Sequence, residues 1–86
     1  MQQGNGLDSI IGASANTLTA RFGAPRLNRI EGDARKLQFV GEGCVLDIYL
    51  YPLQAGGAPV ATHVEARAQQ GGGVIDRARC IAALTR

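Results

Sequence analysis

The chain contains no tryptophan, one histidine and two cysteines among its 86 residues. One histidine and two distant cysteines fall short of the four ligands of a structural zinc site, and their spacing is not that of a CxxC redox pair. No apolar run approaches the roughly 20 residues of a membrane-spanning helix. The sequence therefore argues against a zinc domain, a CxxC oxidoreductase and a transmembrane segment.

A strong excess of positive charge is also lacking. The net charge is +2, and the nine basic residues, eight of them arginines, are spread along the chain without a block. Nucleic-acid binding depends on clustered cations that displace counterions from phosphates. We therefore expect neither a nucleic-acid partner nor, in the absence of any cofactor motif, a cofactor.

The length allows one domain with a small core. We predict a flexible tail over residues 1–6 and a single α+β domain over residues 7–86. The opening MQQGNG is typical of a chain from which a signal sequence or lipid-anchored tether has been removed, and a plain cytosolic start is the alternative.

Three segments have helical apolar spacing. Leu7, Ile10 and Ile11 predict a short first helix that ends at Gly12. A second helix is predicted over Ala15–Phe22, and a third, alanine-rich helix over 74–84.

The second helix has the clearest boundaries. Ser14 is a suitable N-cap, and Leu18 and Phe22 form one apolar stripe. Gly23 can adopt the left-handed exit conformation, and Pro25 prevents continuation.

Four segments have strand character, separated by glycine-rich turns: 27–30, 35–40, 44–51 and 60–67. The short turns between them favour an antiparallel meander. The predicted fold is thus a two-layer α+β sandwich with two short N-terminal helices, a four-stranded antiparallel meander sheet and a C-terminal helix.

Alternation along the strands predicts one apolar and one polar sheet face. The apolar set comprises Leu37, Phe39, Cys44, Leu46, Ile48, Leu50, Val60, Thr62, Val64 and Ala66. The polar set comprises Lys36, Gln38, Asp47, Tyr49, Tyr51, His63, Glu65 and Arg67. Tyrosine and arginine are enriched at interfaces, so we predict that this polar set binds a partner. An ordinary solvated sheet face is the alternative.

The two cysteines allow one intramolecular bond. Cys44 shares parity with apolar strand residues, and Cys80 lies near the core side of the last helix. We predict a Cys44–Cys80 disulfide, and with it an oxidising compartment. Two buried thiols in a cytosolic protein are the alternative.

The pattern G-x-S-x-x-x-L-x-x-x-F-G-x-P, from Gly12 to Pro25, resembles the SmpA/OmlA family of small bacterial lipoproteins. The similarity extends to a following strand pair with an aromatic residue near its end, here Phe39, and covers roughly the first half of the chain. This resemblance implies a periplasmic or outer-membrane location and a link to outer-membrane protein assembly.

The sequence gives weaker signals for a catalytic site than for a binding surface. His63 shares a face with Glu65, which is compatible with acid–base work but is also an ordinary surface pair. Cys44 belongs to the apolar face, so we expect it to point away from His63. Gly71–Gly73 lacks the Lys-Ser/Thr ending of a phosphate loop, which favours a flexible linker.

We therefore predict a non-catalytic protein-binding or scaffolding domain of the bacterial cell envelope, with another envelope protein as its partner. The alternative is a small enzyme that uses His63, or an enzyme inhibitor that inserts the 54–59 loop into its target.

Overall fold

The computed structural model describes residues 9–71, 73 and 75–85 and shows an α+β fold, as predicted. The four strands form one antiparallel sheet in the order β1-β2-β3-β4, which confirms the meander. The elements are α1 (Ala15–Phe22), β1 (Leu27–Glu31), β2 (Ala34–Val40), β3 (Cys44–Pro52), β4 (Pro59–Ala68) and α2 (Arg77–Leu84). The predicted 1–6 tail lies outside the described residues.

The prediction of two N-terminal helices is wrong, because α1 is the single helix that precedes the sheet in the described residues. Ser9 is in 3₁₀-helical geometry and residues 10–12 form a turn, with the Ala13 N–H donating to the Ile10 carbonyl across 2.9 Å. Leu7, the first residue of the predicted helix, lies outside the described residues. The Gly12 N–H donates to the Ala61 carbonyl and the Ala61 N–H to the Ala13 carbonyl. After this single turn the backbone bonds to β4, and Ile10 is buried in the core.

Helix α1 begins and ends where the sequence predicts. The Ser14 hydroxyl accepts from the Thr17 N–H, which satisfies one of the donors left open at a helix start. Gly23 has φ of 92°, and its N–H donates to the Thr19 carbonyl across 2.8 Å. Leu18 and Phe22 are the buried residues of the helix, and the Phe22 ring lies 5.2 Å from that of Phe39 on β2.

The parity predicted for β4 changes at a bulge. The register shifts between Tyr49 and Leu50, so that Tyr49 stands opposite His63 and Leu50 opposite Ala61. Thr62 is the extra residue and is exposed, while Ala61 is buried in the core. The prediction that Val60 and Thr62 continue the apolar face is therefore wrong, because strict alternation does not anticipate an inserted residue.

Helix α2 is shorter than predicted. It begins at Arg77 because Asp76 caps it, its carboxylate accepting from the Ala78 N–H across 3.2 Å. Val74, the predicted start, lies outside the described residues. Cys80, Ile81 and Leu84 are its buried residues.

The predicted disulfide is present. Cys44 at the start of β3 bonds to Cys80 of α2, with a Cα–Cα distance of 5.9 Å across 36 positions in the sequence. Leu84 packs at the end of the same helix against Gly41, where a Cβ would stand 2.3 Å from the leucine Cδ2. Both helices thus pack on the apolar sheet face, and the disulfide joins α2 to β3.

Candidate functional site

The polar face of the sheet divides into two parts along the strands. The first, here called the closed end, consists of Arg26, Gln38, Asp47 and Arg67. The second, here called the open end, consists of Lys36, Tyr49, Tyr51 and His63. Seven of the eight predicted binding residues thus lie in one of two environments of different character. The eighth, Glu65, stands opposite Asp47 in the register and is exposed beside His63.

At the closed end, polar groups bond to one another. Gln38 Nε2 donates to Asp47 Oδ1 across 2.8 Å, and Arg67 Nη1 donates to Asp47 Oδ2. Gln38 Oε1 accepts from Nε and Nη2 of Arg26 at 2.9 and 2.7 Å. Every buried side-chain nitrogen and oxygen of the described residues has a hydrogen-bond partner.

The burial of the closed-end side chains limits the surface that they can offer to a partner. Asp47 is 1 % exposed and Gln38 8 % exposed, so neither offers a partner more than a trace of surface. The Arg67 side chain is 43 % exposed, yet its guanidinium compensates a buried carboxylate. We therefore assign Gln38, Asp47 and the charged group of Arg67 a structural role.

The open end is built around Tyr49. The register places Lys36 and His63 on either side of it in one cross-strand row. Lys36 Nζ lies 5.2 Å from the centre of the Tyr49 ring, and the His63 ring lies 5.5 Å from it with a tilt of 42°. These contacts hold Tyr49 between two neighbours and fix the orientation of its ring.

A cleft of about 190 Å³ lies at the open end. Its lining residues are Arg29, Glu31, Ala34, Arg35, Lys36, Tyr49 and Tyr51. Arg29 and Lys36 are cations of the polar face and Glu31 is an anion, whereas Arg35 pairs with Leu50 and so has the parity of the helix-bearing face. Tyr51 is 47 % exposed. The cleft therefore combines aromatic surface with an excess of positive charge, which suits a partner that contributes carboxylates.

A second groove, of about 330 Å³, runs beside β4. It lies between residues 63–67 of that strand and Ile75 and Arg77 of the segment that leads into α2. Arg77 Nη1 donates to the Val64 carbonyl across 3.4 Å. Unlike the cleft, this groove is not lined by tyrosine.

The structure also shows how the residues of the catalytic alternatives are arranged. His63 Nε2 lies 3.0 Å from Glu65 Oε2, and both side chains are more than half exposed. Cys44 and Cys80 are bonded to each other, so neither sulfur is a thiolate nucleophile in this state. Among the described residues, no group of three histidine, cysteine, aspartate or glutamate side chains is placed to hold a metal ion.

Three residues that contribute to the polar sheet face were not predicted from the sequence. Arg26 precedes β1 and binds Gln38, and Arg29 and Glu31 of β1 line the cleft. The alternation of charge within Leu27–Glu31 was the available signal for the last two. Nothing local marks Arg26, because its partner lies 12 positions away.

Fold and site together define a disulfide-linked two-layer α+β domain with a tyrosine-lined cleft on its sheet. No protein-family model matches the chain, and comparison with curated proteins and with solved structures finds no match. Within the described residues, no helix has the length and apolar character needed to cross a membrane.

Proposed function

We propose that this chain is a non-catalytic protein-binding or scaffolding domain of the bacterial cell envelope, and that it binds its partner through the open end of the sheet. The observation that carries the proposal is the contrast between the two ends. The closed end satisfies its polar groups internally, whereas the open end leaves Tyr51 exposed beside cations and a cleft.

Tyrosine at this position supports protein recognition on physical grounds. Its ring offers a large contact area at the cost of few rotatable bonds, and its hydroxyl satisfies polar groups of the partner. The cations around the cleft favour an acidic segment and would orient it more than they strengthen binding. The partner is thus a protein surface or extended segment that carries Asp or Glu.

The envelope location is supported by the disulfide. Bonds of this kind persist in the periplasm and are rare in the cytosol, where thiols are kept reduced. The Gly12–Pro25 pattern, with its resemblance to the SmpA/OmlA lipoproteins, points to the same compartment and to outer-membrane protein assembly. Cell fractionation of the protein expressed from its native gene tests the location, and recovery with cytosolic markers would contradict it.

Site-specific photocrosslinking in the producing cell tests the binding surface. A photoreactive amino acid at Tyr51 should yield a discrete crosslinked product. The same group at Ile11, which is 46 % exposed but lies in the N-terminal turn, is a matched control because the two exposures are nearly equal.

A charge reversal then links the product to the cleft. The Lys36→Glu substitution changes a cation of the cleft and should reduce the product from position 51 while leaving the fold intact, as judged by circular dichroism. Identical products from positions 51 and 11, or a product that Lys36→Glu leaves unchanged, would contradict a specific surface at the open end.

One observation favours the inhibitor alternative. Leu53 is 78 % exposed at the start of the loop between β3 and β4, where an apolar side chain could enter a target's pocket. A photoreactive group at Leu53 distinguishes the two functions. A product from position 53 that survives Lys36→Glu would favour loop insertion, and a product from position 51 that Lys36→Glu removes favours the cleft.

A further inference from the structure

The two edges of the sheet differ in how they are covered. Along β4, Gly12 and Ala13 bond to Ala61, Ser14 forms a β-bridge with Val60, and the Ala68 N–H donates to the Gly73 carbonyl. Strand β1 lies at the other end of the sheet order, with β2 as its one neighbouring strand in the described part of the chain. An uncovered edge offers its backbone N–H and C=O groups to another strand.

The register identifies which groups of β1 face outward. Glu31 and Ala34 flank a two-residue turn, Gly32-Asp33, so they form a hydrogen-bonded pair. Alternation along an antiparallel ladder then directs the backbone groups of Asn28 and Ile30 away from β2. These two residues form the open edge.

Side chains on β1 do not protect this edge. Natural edge strands are often blocked by proline, bulges or charges of one sign, which repel a second strand. Here Arg29 and Glu31 have opposite charges and lie on one face, 3.7 Å apart, with both side chains more than half exposed. Between them, Ile30 is 63 % exposed on the helix-bearing face, where α1 and α2 leave it uncovered.

We propose that β1 pairs with β1 of a second copy of this chain, antiparallel and about a two-fold axis at Ile30. In this register the two Ile30 residues form a hydrogen-bonded pair and cover each other. Each Arg29 then stands opposite Glu31 of the other copy, twice by symmetry. The strand is thus complementary to itself in charge, in apolar surface and in backbone pattern.

The interface is small, because in this register residues 29–31 of the two strands face each other, whereas Leu27 and Asn28 fall opposite the turn residues Asp33 and Gly32. Stable protein interfaces bury on the order of 1,200 Å² or more, so we expect a reversible dimer that grows with protein concentration. Pairing would join the two sheets into one of eight strands. Arg29 and Glu31 also line the cleft, so pairing would place the second copy beside the proposed binding surface.

Exchanging the charges of Arg29 and Glu31 in the purified protein tests whether two β1 strands pair. Sedimentation velocity of the wild type should show a monomer–dimer equilibrium. Arg29→Glu gives an edge with two acids and Glu31→Arg an edge with two bases, so each variant alone should lose the dimer. An equimolar mixture of the two should form a heterodimer, because every acid again meets a base.

The mixture separates pairing from misfolding, since two misfolded chains would not recover a dimer. The doubly exchanged chain, Arg29→Glu with Glu31→Arg, should again form a homodimer. A wild type that stays monomeric at all concentrations would overturn the proposal, and so would single variants that mix without forming a heterodimer.

Oxidative crosslinking tests the register. Facing residues of a hydrogen-bonded antiparallel pair have Cα atoms about 5.5 Å apart, within the range of a disulfide. Ile30→Cys should therefore form a covalent dimer. Asn28→Cys should not, because the two Asn28 residues would lie more than ~10 Å apart along the strands. Crosslinking at 28 and not at 30 would overturn the register.

Discussion

The closed and open ends of the polar sheet face show how one strand pattern serves two purposes. At the closed end, Gln38 and Asp47 are buried and hydrogen-bonded to each other, and Asp47 also accepts from Arg67. At the open end, Tyr49 and Tyr51 keep accessible ring surface beside a cleft. The same alternation of polar residues thus holds the fold together at one end and leaves a surface for recognition at the other.

Loss of the disulfide on the apolar face should have the largest effect on stability. Replacing Cys44 and Cys80 together with Ala removes the link between β3 and α2. For a loop of 36 positions, the chain-entropy estimate is a loss of about 3–4 kcal/mol in the free energy of unfolding. Urea denaturation of wild type and double variant measures it, and a difference below about 1 kcal/mol would show that this bond adds little.

Removal of the buried carboxylate should have the next largest effect. Asp47→Ala leaves Gln38 Nε2 without its acceptor and Arg67 without its counter-charge, so we expect a loss of about 2–3 kcal/mol. Asp47→Asn is the matched control, because it keeps the shape and one acceptor oxygen. Urea denaturation should place it between Ala and wild type; equal midpoints for all three would contradict a structural network.

A smaller loss is expected where α2 approaches the β2–β3 turn. In Gly41→Ala the new Cβ would meet Leu84 Cδ2 at 2.3 Å, so the leucine must shift. The expected cost is about 1–2 kcal/mol. Gly73→Ala is the control, since a Cβ there meets nothing within 4 Å. Thermal unfolding compares the two variants, and an equally stable Gly41→Ala would mean that Leu84 moves at no cost.

The open end should show the smallest effect on stability. Tyr51→Ala removes a side chain that is 47 % exposed, so the free energy of unfolding should change by no more than about 0.5 kcal/mol. Binding should respond more strongly, with a loss of roughly 2 kcal/mol if Tyr51 is an anchor of the interface. Titration of the partner identified by crosslinking measures that loss. If Tyr51→Ala lowered the free energy of unfolding as much as Asp47→Ala does, the open end would also be structural, and the two ends would not differ in role.

Much of the secondary structure could be predicted because its signals are local. The Ser14 cap and the Gly23 exit lie within one turn of α1, and both of its boundaries match the structure. The alternation of Cys44–Leu50 likewise fixes which side of β3 is apolar. The disulfide followed from the count of cysteines and their apolar positions, and the structure confirms it.

Errors arose where distant residues compete with local preference. Ile10 and Ile11 have helical spacing, but residues 10–12 form a single turn, after which Gly12 and Ala13 bond to Ala61 of β4. Similarly, the bulge opposite Tyr49 and Leu50 moves Ala61 into the core and Thr62 out of it. Hydrogen bonds to a strand almost 50 positions away leave no trace in local spacing.

The sequence by itself determined the alternation of β2 and β3 and the caps of α1, because each depends on residue type and on neighbours a few positions away. It indicated the cysteine pairing, because the chain has two cysteines and both have apolar positions. Only the tertiary structure decided that Asp47 and Gln38 are buried while Tyr51 is exposed, although all three have the same strand parity. That difference depends on Arg26 and Arg67, which reach the closed end from other parts of the chain. Parity states which face a side chain occupies, whereas burial depends on what the rest of the fold places over it.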